Sequence, residues 1–300
     1  MRRVAQDHKV LEIMGKRFVF FAFAVLLMVT AACVPKIDPT PSGNDNKLKP
    51  TGKSVSTYMS LHVTDNRSSY RKMAVVADKG RVLTGSAQPN SPEAVREAIA
   101  QGMEFVRIDV RRSGNESYCT DHIEEGDIYP KLEDVLSESR GKIFVCLDAS
   151  HSLHIPNTCA LIDSLAMQDE IIFCMGALGG PDDDQSASNG WRNYLEFSSR
   201  LDKVTPLFDA SCKEAIDFIE SSDLPAVVSF RLGDNSLAGY CHNSGFAVFT
   251  DVTASDESIK EGDNAALQQA AALKSDLVCT GVADSDIVRF YSTYRSSYNQ

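Results

Sequence analysis

Apolar and polar positions follow two periods along this chain, and the switch between them recurs. In Glu104-Phe105-Val106-Arg107-Ile108-Asp109-Val110-Arg111 the polar and apolar residues alternate. Successive side chains of a strand point to opposite faces, so Val106, Ile108 and Val110 share one side and Arg107, Asp109 and Arg111 the other. Comparable short runs rich in β-branched residues lie at 73–77, 104–110, 142–148, 170–176, 204–209, 226–231, 246–252 and 276–281. Between them, at 91–102, 131–141, 157–169, 191–201, 211–222 and 261–275, apolar residues return every three or four positions, as on one face of a helix. Ser91 caps the first of these helices, Pro92 sits in its opening turn and Gly102 ends it. From Leu232 to Ser244 the helical pattern is interrupted by Gly233 and Gly239.

Strands that alternate with helices at this pitch predict a parallel sheet, and eight such units predict an α/β fold closed into one (β/α)8 TIM barrel. The outer face of each barrel strand packs on helices. Val106, Ile108 and Val110 are therefore expected to point outward, and Arg107, Asp109 and Arg111 inward. Other strands end in polar residues as well: Asp78-Lys79, Asp148, Asp209 and Arg231. These are carboxyl ends, the face on which barrels carry their chemistry.

The chain ends change the picture. Arg2, Arg3, Lys16 and Arg17 precede the apolar run Phe18 to Ala32, which is too short to span a bilayer comfortably and has the make-up of an export signal. Met14 offers an alternative start. Thr30-Ala31-Ala32-Cys33 is similar to a bacterial lipobox, so residues 1–32 are expected to be a signal and Cys33 the lipidated first residue of the mature chain. The plainer alternative is a secreted protein cut near Ala32. Residues 33–57 are rich in Pro, Gly, Asn and Lys and read as a flexible linker, with the barrel over 58–300. Loss of the signal removes five basic and two acidic residues and takes the formal charge from −11 to −14. Such a balance argues against a nucleic-acid partner. The expected location is the bacterial cell envelope, facing the periplasm or the surface.

Eight cysteines become seven if Cys33 carries lipid. Cys146, Cys174 and Cys279 sit in apolar runs, where a thiol behaves as a small buried hydrophobe. Cys159, Cys212 and Cys241 leave a bridge open.

The order of motifs from 72 to 296 resembles the glycerophosphodiester phosphodiesterases, calcium- or magnesium-dependent barrels that release glycerol phosphate. AVVADKG is similar to that family's first strand ending in His-Arg-Gly, QPNSPEAVREAIAQG to its Pro-Glu-Asn-Thr segment, and FVRIDV to its Glu-Leu-Asp-Val strand. SYCTDH resembles the Phe-His-Asp that follows, and YPKLEDVLSE resembles the segment Ile-Pro-Thr-Leu-Glu-Glu-Val-Leu. The resemblance implies Asp78 at the first catalytic histidine and Thr120 at the second. It sets Pro89, Arg107 and Cys146 at metal-binding glutamates, so that only Asp109 survives of the expected set, with Asn90, Asp121 and His122 at nearby family positions. One carboxylate beside an arginine does not supply the several oxygens that calcium or magnesium takes. No metal site and no cofactor are expected.

Two functions follow. In the first, Lys79, Arg107, Arg111 and Arg231, with Asp109 and Asp148, line a mouth that binds an anionic, phosphate-bearing small molecule without hydrolysis. The same cations also suit a filled barrel end in which they only neutralise Asp78, Asp109, Asp148 and Asp209. In the alternative, the chain is an active phosphoric diester hydrolase of lipid metabolism, with Arg107 in place of the metal and His122, His151 or His154 moving the proton. Asp148-Ala149-Ser150 and Asp209-Ala210-Ser211 read as caps, Pro181 to Asp184 as a solvated acidic loop, and Trp191 with Tyr194 as wall packing.

Overall fold

The computed structural model describes residues 48–60, 73–124, 126–148, 155–222, 224 and 228–287. These belong to one compact unit, Asn46–Gln300. The expected signal, Cys33, His151 and His154 lie outside the described residues. Eight parallel strands close on themselves: β1 (Ala74–Asp78), β2 (Phe105–Ser113), β4 (Phe144–Asp148), β5 (Ile171–Ala177), β6 (Thr205–Ala210), β7 (Ser229–Leu232), β8 (Ala247–Asp251) and β9 (Leu277–Thr280). The ring closes because β1 pairs with β2 on one side, Asp78 opposite Arg107, and with β9 on the other. This is the predicted (β/α)8 barrel.

The alternation read from the sequence decides which side chains go where. Val106, Ile108 and Val110 join the large apolar cluster between strands and helices, while Phe105, Cys146, Cys174, Leu207, Phe249 and Cys279 fill the inside of the barrel. The wall helices are α2 (Pro92–Ala100), α3 (Leu132–Ser139), α4 (Ile155–Ser164), α5 (Asn189–Ser198), α6 (Lys213–Glu220), α7 (Ala238–Asn243), α8 (Asp256–Lys260) and α9 (Ala265–Ala272). Ser91 Oγ accepts from Ala94 N at the start of α2, as its capping position requires. Trp191 stacks on Tyr194 and meets Phe218 edge-on, so both aromatics of α5 serve wall packing. The seven described cysteines are all free, and no bridge joins Cys159, Cys212 or Cys241. Among the described residues no helix is long and apolar enough to cross a membrane.

Besides the short helix α8 (Asp256–Lys260), which precedes the helical stretch read at 261–275, two elements differ from the sequence reading. Residues 48–57, assigned to the linker, include most of helix α1 (Val55–Met59), whose Val55 and Met59 are fully buried under the barrel floor. Tyr58 packs on Phe105 and Phe144 at centroid distances of 5.2 and 5.5 Å, and its hydroxyl donates to Glu104. Five residues are too few to display a helical period, so the polar composition around them dominated the reading. The second is β3 (Glu116–Cys119), which pairs antiparallel with the far end of β2 across Gly114-Asn115, Gly114 taking φ of 61°. β2 therefore leaves the closed barrel after Asp109, its last residue paired with β4.

Candidate functional site

Parity along the strands puts charged residues in one layer above the interior thiols. Burial pushes the Cys146 thiol up to about 12 and raises Cys174 and Cys279 as well. These sulfurs stay protonated and act as packing, as their apolar surroundings suggested.

Arg107 lies at the centre of the layer and is 9% exposed. Its Nε donates to Asp78 Oδ1 at 2.9 Å, its Nη2 stands 2.8 Å from the same oxygen, and its Nη1 donates to Asp251 Oδ2 at 2.5 Å. Each guanidinium nitrogen thus meets a carboxylate. Burial alone would push Asp251 upward, but the Arg107 charge and hydrogen bonds from Thr253 hold its carboxyl below the usual range. Asp78 is also met by Arg81 Nη2 at 2.9 Å, and the same nitrogen reaches Asp256 Oδ2 at 3.5 Å. Asp256 in turn accepts from Thr280 Oγ1 and Gly281 N. Gly281 makes this approach possible, because a Cβ there would overlap both Arg81 and Asp256.

The loop after β1 completes the ring. Lys79 takes φ of 55° and directs its ammonium to Asp121 at 2.6 Å and to Asp109 at 3.4 Å. Asn90, with φ of 61°, latches this loop to β2: its backbone donates to Lys79 O, and its Oδ1 accepts from Asp109 N at 3.0 Å. The hydrogen bond from Lys79 holds the Asp121 carboxyl down at about 2. Asp109 moves the other way: burial raises it, Asp148 and Asp78 add to the rise, and Arg107 and Lys79 oppose it. On the far side Arg231 forms a fork with Asp209, Nε to Oδ1 at 2.8 Å and Nη2 to Oδ2 at 2.7 Å, which raises its own pKa.

Asp109 gives a prediction with a defined sign. Its folded pKa lies above its unfolded one, so folding binds a proton as pH falls, and stability declines as pH rises from the unfolded value through the folded one. Asp109→Asn removes that penalty. The variant is expected to melt higher than wild type at pH 7.5, with the gain shrinking as pH drops through the raised carboxyl range. A gain independent of pH would show that the ionised form is not penalised.

The structure brings together Asp78, Lys79, Arg107, Asp109, Asp148, Asp209 and Arg231 from the residues singled out in the sequence; Asp148 enters as a charge that acts on Asp109 and Arg231. Arg111 stands apart, half-buried in the β2–β3 hairpin opposite Tyr118, with Nη1 donating to Val110 O. Thr120 Oγ1 donates to His122 O, which ties it to a turn. His122 is exposed and faces Asp121 and Glu124. Asp251, Arg81 and Asp256 went unnoticed in the sequence. Asp251 ends a strand just as Asp148 and Asp209 do, so the rule that found those two applies to it.

Solved structures share this architecture. A Galdieria sulphuraria protein assigned to the glycerophosphodiester phosphodiesterases matches with a TM-score of 0.54 at 12% identity, over 73% of this chain and 98% of that one. An Oleispira antarctica phosphodiesterase in complex with the product sn-glycerol-3-phosphate matches at 0.52 and 16%, over 76% and 100%. A Parabacteroides distasonis glycerophosphodiester phosphodiesterase matches at 0.50 and 11%, over 76% and 99%. The fold is that of the glycerophosphodiester phosphodiesterases. No protein-family model and no curated protein matches the chain.

The divalent ion implied by a glycerophosphodiester phosphodiesterase barrel can be tested against the side chains present. Calcium and magnesium take several hard oxygen ligands and leave no room for a cation among them. Here a fixed guanidinium lies between Asp78 and Asp251, and among the described residues no three His, Cys, Asp or Glu side chains converge as a metal site would require. The donor set does not fit the ion.

Proposed function

We propose that this chain is a glycerophosphodiester phosphodiesterase-like barrel that holds a phosphate-bearing small molecule at its mouth without hydrolysing it. The observation that carries this reading is Arg107 clasped by Asp78 and Asp251, at the position that the motif resemblance gives to a metal-binding glutamate. Arginine keeps its proton at working pH and donates only, so it cannot serve as a base. Proton transfer near neutrality calls for a group poised there, most often histidine. The corresponding positions hold Asp78, committed to Arg107 and Arg81, and Thr120, committed to the backbone of His122. An active hydrolase with Arg107 in place of the metal would need that guanidinium open to a phosphate, whereas all three of its nitrogens already meet carboxylates.

Lys79 and Arg231 support a phosphate ligand: their side chains are 20% and 31% accessible, and the third partly exposed cation of the layer, Arg81, is held between Asp78 and Asp256. The Oleispira antarctica neighbour binds sn-glycerol-3-phosphate. Each cation shares an aspartate, so an incoming phosphate displaces Asp121 or Asp209. Binding should accordingly be modest and weaken with salt. Arg107 belongs to the frame beneath. The same proposal has the barrel held at the bacterial cell envelope by lipid on Cys33, a reading supported by the sequence of residues 14–33 alone.

Thermal melting with sn-glycerol-3-phosphate tests the ligand. Wild type should shift upward by a few degrees at millimolar ligand, and Lys79→Gln and Arg231→Gln by less than half as much. Equal shifts in all three would remove these cations from the site. Cys33→Ser should move the expressed protein from the membrane to the soluble fraction, and unchanged partition would contradict the anchor.

A further inference from the structure

A tethered domain hangs from the point where its chain is fixed, and in this protein that point lies on the barrel floor. Leu48 N donates to Ser164 O, at the carboxyl end of α4. Arg140, which follows α3, donates to the carbonyls of Lys49 and Leu165. Thr51 Oγ1 donates to Glu170 Oε1 at 2.5 Å, and the other oxygen of this buried carboxyl accepts from Gly141 N at 2.6 Å. Lys53 Nζ reaches Lys142 O at 2.7 Å. Residues 48–53 thus strap the turns that lead into β4 and β5, and α1 continues beneath the floor. These are the amino ends of the strands. The mouth, with Lys79, Asp209 and Arg231, lies past their carboxyl ends on the opposite side.

Only residues 34–47 separate Cys33 from this strap. A stretch of that length spans at most about 50 Å when fully extended and averages about 20 Å as a coil. A domain of this size is about 45 Å across. To bring the mouth to the lipid, the tether would have to climb the flank of the barrel at nearly full stretch, whereas the floor is within its ordinary reach. Beside the strap, Lys49 and Lys203 share the surface with Asp163, Asp169 and Asp202, so no excess of positive charge draws this face to anionic lipid. The point of attachment sets the orientation.

We infer that the barrel stands floor-first on its anchoring membrane, with the mouth turned away from the bilayer. The mouth then takes its phosphate-bearing ligand from the aqueous phase, as a soluble ester, and not from the headgroups of the lipids that hold the anchor. This inference rests on the proposed anchor at Cys33 and adds to the proposed function which face meets the membrane and which source of phosphate the mouth can reach.

Energy transfer from the lipidated chain to an acceptor-labelled lipid in phosphatidylcholine vesicles tests the orientation. Cys212→Ser leaves only buried thiols among the described residues, and a donor dye is then placed on Lys203→Cys at the floor or on Asp182→Cys in the loop after β5, both exposed positions. Transfer should be about twice as efficient from position 203 as from position 182, as a barrel about 45 Å across requires, and should not change with salt. Duplicating residues 34–47 should narrow the difference. In the same vesicles, soluble sn-glycerol-3-phosphate should raise the melting temperature of the bound protein, and phosphatidylglycerol built into the bilayer should not. Equal transfer from the two positions, or a rise with phosphatidylglycerol, overturns the inference. Wild-type protein found in the soluble fraction overturns the anchor and the orientation together. The expected transfer with no response to glycerol phosphate upholds the orientation and counts against the mouth reading alone.

Discussion

Arg107→Ala is expected to destabilise the barrel by about 3–5 kcal/mol, the usual cost of removing one member of a buried charge cluster. The reason lies in what remains. Asp78 is 2% exposed and Asp251 only partly exposed, and both carboxyls would lose their central partner in a space that water barely reaches. Arg81 still meets Asp78, but from the more open side, and offers Asp251 nothing among the described contacts. For a domain of this size each kcal/mol moves the melting temperature by about 2–4 °C, so the loss is plain in a thermal or urea scan. A companion variant separates charge from packing: Arg107→Met combined with Asp78→Asn and Asp251→Asn removes all three charges at similar volume and should recover most of the loss. A loss under about 1 kcal/mol for Arg107→Ala would mean that water or other groups carry the aspartates, and the clasp would no longer be the structural centre of the site.

Much of this arrangement can be read from residue order. The two-residue period of EFVRIDVR fixes which side chains enter the barrel, and the recurrence of strand and helix fixes that there is a barrel to enter. Hence Arg107 and Asp109, of the three residues expected inward, join Phe105 in the interior, and Val106, Ile108 and Val110 form the wall. Pattern does not reveal partners. That Arg107 turns to Asp251, 144 residues away, depends on ring closure and on register, which no local period encodes. The lateral fork of Arg231 with Asp209 likewise comes from strand pairing, the two residues lying opposite each other on β6 and β7. Arg111 shows where parity stops helping. It has the right spacing, but β2 has already left the ring for its hairpin with β3. Helix α1 escaped notice because five residues in a polar stretch give no period to detect.

The same cluster leads to the second large effect, an absence of turnover. Metal-dependent hydrolysis of a glycerophosphodiester draws on an ion to hold the phosphate oxygens and on groups that take and return a proton. In this mouth a guanidinium lies between the acids an ion would need, Asp109 is pulled toward its neutral form by burial, and Thr120 is tied to a turn. Changing Arg107 alone does not rebuild the machinery, because Pro89 and Cys146 stand at two further positions where the motif resemblance implies glutamates. Arg107→Glu is therefore expected to remain inactive as well as unstable.

The central claim is that a fixed internal cation has replaced the divalent ion of this kind of barrel. It is tested most directly by incubating the purified protein with glycerophosphocholine or glycerophosphoethanolamine, with calcium, magnesium or a chelator, and measuring released glycerol phosphate. The account predicts the background rate under all three conditions. Turnover that calcium or magnesium stimulates and the chelator abolishes would contradict it.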